Sequence, residues 1–196
     1  MDLRTLTLAL AATVLFAAGP KPKVKFTTTL GAFTVEVDPE AAPKTVANFL
    51  DYVRSGQYKD TVFHRVIANF MIQGGGMTET GAEKPTRGPV ENEARQAQEK
   101  GLRNVRGSLA MARTNLPHSA TAQFFVNVKD NAFLDYPGQD GFGYCVFGKV
   151  VEGMDTVDKI RAVPTNPGDS PKTPVVITAA AVEEVKAPAK KPRKKK

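Results

Sequence analysis

Eight short strand-like runs, at residues 24–29, 32–37, 61–67, 70–73, 107–112, 123–128, 144–151 and 175–185, dominate this chain, and only two segments between them carry clear helical spacing. In the second run Phe33, Val35 and Val37 alternate with Thr34 and Glu36, which buries one face of a strand, and Leu30-Gly31 before it turns a hairpin. The first helical segment has Pro43 near its first turn, Val46, Phe49, Leu50 and Val53 on one stripe, and Gly56 as a stop. The second covers residues 154–160, and residues 91–98 read as a short helical or irregular excursion. Helices this few cannot supply the crossovers of a parallel sheet, so the expected fold is dominated by β structure: a closed eight-stranded antiparallel barrel capped by two α-helices. Side chains fill the inside of such a barrel. A functional site must therefore lie on its outer wall or rim.

The stretch YKDTVFHRVIANFMIQGGG, residues 58–76, is the candidate for that site. Alternation puts Phe63, Arg65 and Ile67 on one face of its first run and Met71 with Gln73 on one face of the second. A guanidinium beside apolar surface is costly without a partner or a function. By the same alternation His64 points away from Arg65 and reads as a satisfied inner histidine, while His118 lies in a polar loop. Residues 76–81 have the glycine spacing of a phosphate loop, but Ala82-Glu83 stand where Lys and Ser/Thr are needed, and an acid there repels phosphate. The glycines read instead as a turn past which another segment runs closely. The loop 131–143 carries Phe133, Leu134 and Tyr136, apolar surface expected to face a ligand or the core.

Composition narrows the chemistry. One cysteine, Cys145, excludes an intrachain disulfide and reads as a buried structural thiol, and two histidines are too few for a zinc site, so neither metal nor cofactor is expected. The net charge of +7 comes from 27 Lys+Arg against 20 Asp+Glu, and seven of those cations lie at 186–196, leaving the rest of the chain balanced at 20 against 20. Basicity is thus a property of a tail, VKAPAKKPRKKK, whose Ala, Pro and Lys cannot bury a core. That tail is expected to be disordered, without specific nucleic-acid binding, and able at most to touch an anionic surface weakly. Residues 1–19, MDLRTLTLALAATVLFAAG, have an early arginine, an uncharged apolar run and small residues at the end, the pattern of a secretory signal peptide. The expected organisation is a leader at 1–19, a linker at 20–23, one domain at 24–185 and the tail, in an exported, periplasmic protein. A cytoplasmic location follows if the leader does not work as a signal.

Tyr58, Thr61, Phe63-His64-Arg65, Val66-Ile67, Phe70-Met71, Gln73 and Gly75 together resemble the signature of the cyclophilin family of peptidyl-prolyl isomerases. Further blocks follow in the family's order: 107–111, Ala122-Gln123-Phe124-Phe125-Val126-Asn127, Phe133-Leu134-Asp135 and 146–150. The resemblance covers about residues 24–185 and, with the leader, is closest to exported bacterial members.

The resemblance implies a shallow outer groove that binds an Xaa-Pro segment of an unfolded or folding protein, and the protein is expected to be a monomer. Matched position by position, Arg65 is the catalytic cation and Gln73 a partner of the peptide backbone. Phe70, Met71, Phe125 and Leu134 line the proline pocket, and Ala112, Arg113 and Gln123 form the wall beyond. Three residues depart from the pattern. Phe133 stands where cyclosporin-sensitive members carry tryptophan, so weak cyclosporin binding is expected. Arg113 replaces an asparagine of many relatives at a position expected to act through its backbone. Tyr144 replaces a histidine of eukaryotic members and keeps an aromatic wall. A proline-peptide binding module with incidental turnover is the competing expectation.

Overall fold

The computed structural model describes residues 20–183. The leader at 1–19 and the tail at 186–196 lie outside the described residues, as do the last two positions of the 24–185 domain. The chain begins with β1 (Lys23–Thr28) and β2 (Gly31–Val37), the expected hairpin, paired from Lys23 opposite Glu36 to Thr28 opposite Gly31. Helix α1 (Pro43–Arg54) follows, then β3 (Thr61–Val62), β4 (Arg65–Ile67), β5 (Met71–Gly74) and the short α2 (Ala94–Glu99). Strands β6 (Ser108–Met111) and β7 (Phe124–Asn127), a 3-10 turn (Ala132–Leu134), β8 (Val146–Glu152), α3 (Met154–Arg161) and β9 (Val176–Glu183) complete it.

All strands belong to one sheet in the order β3-β9-β1-β2-β8-β6-β7-β5-β4, and every pairing is antiparallel. The strand expected over 61–67 is in fact two strands at opposite ends of that sheet. Thr61 and Val62 pair with β9, whereas residues 65–67 pair with β5. Only Phe63 and His64 separate them, so one seven-residue run ties the two edges together and curls the sheet into the barrel. Counted as one run, it is the eighth strand of the expected set. The break also shifts the alternation: Phe63 is 1% exposed in the main core and does not share the face of Arg65.

Side chains pointing inward form an aromatic lattice. Phe124 stands 5.2 Å from Phe26, 5.3 Å from Tyr58 and 6.1 Å from Phe49, measured between ring centres. Rings meeting edge to face favour their quadrupoles, and burying each contributes about 1.5–3 kcal/mol. Helix α1 closes one side with Val46, Phe49, Leu50 and Val53 buried, the stripe its sequence predicts, and α3 contributes Val157 and Ile160. No side chain of its own caps α1. Instead Glu93, which directly precedes α2, accepts from the amides of Lys44 at 3.1 Å and Thr45 at 2.8 Å. The excursion at 91–98 is therefore partly helical and supplies an anion to an orphaned helix N-terminus. Cys145 is buried 3.6 Å from the Thr45 hydroxyl, and burial pushes its thiol up to about 12, as suits an unreactive structural residue.

Candidate functional site

Sheet register assembles the site on the outer face. Arg65 lies opposite Gln73, Gln73 opposite Phe125, Phe125 opposite Ala110, and Ala110 opposite Val146, a row across five strands. The neighbours of Phe125, Phe124 and Val126, point into the barrel and join the main core. Met71, Ala110, Ala112, Phe125, Leu134 and Val146 form a second, smaller apolar cluster outside it. Two residues adjacent in sequence thus serve two different cores because a strand alternates its faces.

A cavity of about 120 Å³ opens over this cluster. Phe70, Met71, Phe125, Leu134 and Tyr144 give it apolar and aromatic walls, and Arg65, Gln73, Ala112 and Arg113 complete the lining. Two expected site residues fall outside it. Gln123 lines an adjoining cavity of about 150 Å³ that shares Gln73, Ala112 and Arg113 with the first. Phe133 lines another, of about 330 Å³, that shares Phe70, Leu134 and Tyr144. Phe133 stacks on Phe70 with ring centres 5.7 Å apart and remains 52% exposed.

Arg65 is half exposed, and its Nε lies 3.6 Å from Asp169 Oδ2. Asp169 has a left-handed backbone, φ 63°, and its carbonyl accepts from the amide of Val66, so it holds both the strand and the side chain of the arginine. Among the described residues, the guanidinium of Arg65 makes no hydrogen bond, and the residue lines the cavity. Such an exposed pair contributes little to stability. Orientation is its physical consequence. On the next strand Gln73 Nε2 donates to Gln123 Oε1 at 2.9 Å. That pairing needs glycine nearby, because a Cβ on Gly76 would stand 2.5 Å from the Gln123 side chain. Gly75 has φ +88°, and its Cβ would meet Tyr58 at 2.8 Å and Phe124 at 2.9 Å. The glycine run is thus the close-passage turn that its sequence suggests.

The Arg113 side chain is only 3% exposed, although the residue as a whole is partly open. Its guanidinium donates to the Gly143 carbonyl at 2.9 and 3.2 Å and the Thr114 carbonyl at 3.0 Å, besides pairing with Asp140. The amides of Gly143 and Phe142 together with Arg113 hold the Asp140 carboxyl at about 2, against the opposing effect of burial.

His64 departs from its expected role. It is half buried, lines a separate cavity, and its Nδ1 is buried without a hydrogen-bond partner. Alternation fails here because the residue sits in the break between β3 and β4. Burial, and then the charge of Arg65, lower its pKa below 6.5.

Sequence reasoning missed the polar layer behind the cavity. Asn127 Nδ2 donates to Asn104 Oδ1 at 3.1 Å and Ser108 Oγ at 2.8 Å, and Asn131 Nδ2 donates to Asn127 Oδ1 at 2.7 Å and to the Phe70 carbonyl at 2.9 Å. Asn104 in turn donates to Asp135, the neighbour of Leu134, at 2.7 and 2.9 Å. This network ties together the segments that carry Phe70 and Leu134. One sequence signal pointed to it, since Asn127 shares the outward, apolar face of Phe125 and a buried amide must be satisfied. Nothing local pointed to Asp169 or Asp140.

Comparison with known proteins agrees with this geometry. Residues 23–182 match the family model "Cyclophilin type peptidyl-prolyl cis-trans isomerase/CLD". The chain is 52% identical over 167 residues to peptidyl-prolyl cis-trans isomerase B of Escherichia coli, covering 82% of this chain and 99% of that protein. It is 53% identical over 165 residues to peptidyl-prolyl cis-trans isomerase cyp18 of Streptomyces antibioticus, covering 81% and 97%. Among solved structures, the cyclophilin type isomerase of Cryptosporidium parvum, crystallised in the presence of the dipeptide Ala-Pro, superposes with a TM-score of 0.68. The two are 26% identical over 83% of this chain and 99% of that one. With a curled antiparallel sheet, an outward apolar pocket beside Arg65 and these relatives, the chain belongs to the cyclophilin family and is a peptidyl-prolyl cis-trans isomerase.

Proposed function

We propose that this isomerase turns Xaa-Pro bonds in exported proteins as they fold, with Arg65 as its catalytic cation and the cavity beside it as the proline pocket. The observation that carries this reading is the position of Arg65. It lines a small apolar cavity, across the ladder from Gln73, with only its Nε near an acid.

Rotation about an Xaa-Pro bond faces a barrier of about 18–20 kcal/mol because amide resonance must be lost, and no bond has to break. As the amide twists, the prolyl nitrogen becomes pyramidal and its lone pair becomes an acceptor. A guanidinium N–H placed there binds the twisted state better than the planar one, which is the condition for acceleration. A preorganised donor of this kind contributes about 3–4 kcal/mol. Reaching milliseconds from minutes requires about 7 kcal/mol, at about 1.4 kcal/mol per power of ten. Geometry supplies the remainder in this scheme. Phe70, Met71, Phe125 and Leu134 grip the ring and exclude water that favours the polar planar amide, while Gln73 and the Arg113 main chain orient the peptide beside Ala112 and Gln123.

Export rests on the pattern of residues 1–19, and the clients would then be proline-containing chains emerging into the periplasm. The basic tail would add weak contact with anionic surfaces. The deciding experiment compares isomerisation of an Ala-Pro peptide, by exchange NMR, between the wild type and Arg65→Ala. Equal rates would sink the role given to Arg65. N-terminal sequencing of protein recovered from the periplasm tests export, and an intact Met1 in material found only in the cytoplasm would overturn it.

A further inference from the structure

The Arg113 side chain is a buried cation, and the residue lines the groove beside Ala112 and Tyr144. A guanidinium taken out of water is costly unless its donors are met and its charge is paired. Here both conditions hold. Nε and one terminal nitrogen share the Gly143 carbonyl, the other terminal nitrogen takes the Thr114 carbonyl, and Asp140 supplies the counter-charge. The group lies over Tyr144, its central carbon 4.3 Å from the ring centre. Tyr144 in turn meets Phe125 edge-on at 5.8 Å, inside the cavity.

The turn that receives the guanidinium is held by bonds of its own. Asp140 Oδ1 accepts from the amides of Phe142 and Gly143, both at 3.0 Å, and Gly143 has φ +65° with no room for a Cβ beside the Tyr136 amide. Arg113 thus joins this turn to Tyr144, one of the aromatic rings that line the cavity.

We infer that Arg113 is a positioning residue for the isomerase. Through its stack on Tyr144 and its bonds to Gly143 and Asp140 it sets the width of the pocket that receives proline, and so governs substrate affinity more than the rate of the bound step. Lysine cannot replace it, having neither the plane to cover the ring nor the fork to hold two carbonyls. The inference rests on the reading that the cavity beside Arg65 is the proline pocket.

The test is steady-state isomerisation of an Ala-Pro peptide by wild type, Arg113→Lys, Arg113→Ala and Asp140→Asn, with the thermal midpoint and the Tyr144 ring resonances measured for each. Arg113→Lys should raise KM roughly tenfold and leave kcat within about twofold, because displacement of a positioning group is felt mainly in binding geometry. Asp140→Asn should give a smaller rise, and the Tyr144 ring resonances should move in all three variants. A KM within about twofold of wild type in folded Arg113→Lys and Asp140→Asn would overturn the inference. So would a loss of kcat that tracks the thermal midpoint with KM unchanged, the mark of a loop staple alone. Should Arg113→Ala fail to fold, the other two variants decide. Titrating the peptide into the wild type separates the underlying reading: if the Ala112, Arg113 and Tyr144 resonances stay still, the pocket is misassigned, whereas movement there with an unchanged KM in the variants rejects only the role of Arg113.

Discussion

Arg65 and Gln73 face each other across β4 and β5, so the cation and the amide of the groove are set by a single ladder register. A one-residue slip of β4 would send Arg65 to the face opposite Gln73. Arg65→Ala should leave the fold intact, since the side chain is half exposed, and lower kcat/KM by about 10²–10³-fold, the cost of losing one preorganised donor. Circular dichroism and isomerisation kinetics on the same sample check both halves. Because a guanidinium does not titrate between mildly acidic and mildly basic pH, kcat/KM should be nearly flat across that range, and a steep bell would reject the scheme.

Gly75 and Gly76 should respond differently to the same added methyl. Gly76→Ala meets a flexible partner, Gln123, and should displace its amide from Gln73, lowering kcat/KM with a thermal midpoint close to wild type. Gly75→Ala drives a Cβ into the rings of Tyr58 and Phe124 at a left-handed backbone, which should cost about 2–3 kcal/mol or more in denaturant unfolding.

Phe133 is stacked on Phe70 and exposed, with no indole N–H to offer a ligand. Cyclosporin should inhibit the wild type weakly. Phe133→Trp, which adds one donor at an open site, should tighten inhibition by about tenfold with little change in stability, as read by a dose series on the isomerase assay.

Glu93 satisfies two amides at the start of α1 from 48 or 49 residues away in the sequence. Glu93→Ala leaves those donors without their anion and should destabilise the fold by about 2–3 kcal/mol, measured by urea unfolding. Activity per folded molecule should be unchanged, since Glu93 does not line the groove.

His64 and Asp140 each give stability an acid dependence of known sign. Burial and Arg65 lower the His64 pKa, so the unfolded chain takes a proton below 6.5 that the folded chain resists. That contribution is present above 6.5 and is lost as pH falls. The thermal midpoint should therefore drop between pH 7.5 and 5.5 by more in the wild type than in His64→Gln. Asp140, held at about 2, contributes above its ordinary 3.8 and loses this as pH falls towards 2, a component that Asp140→Asn should remove.

The linear sequence determined that Phe124 and Phe125 face opposite ways, that Met71 and Gln73 share a face, and that α1 carries an apolar stripe, because these follow from the local periods of strand and helix. It did not reveal that residues 61–67 break at Phe63 and His64 to join both edges of the sheet, since that choice is made by β9 and β5, distant partners that compete for one run. Nor could it place Asp169 beside Arg65, Glu93 under α1, or Asp140 and Tyr144 around the buried guanidinium of Arg113. Those are contacts between groups far apart along the chain. Local propensity carries no term for them, and only the closed sheet, which fixes where each loop must pass, decides which acid meets which base.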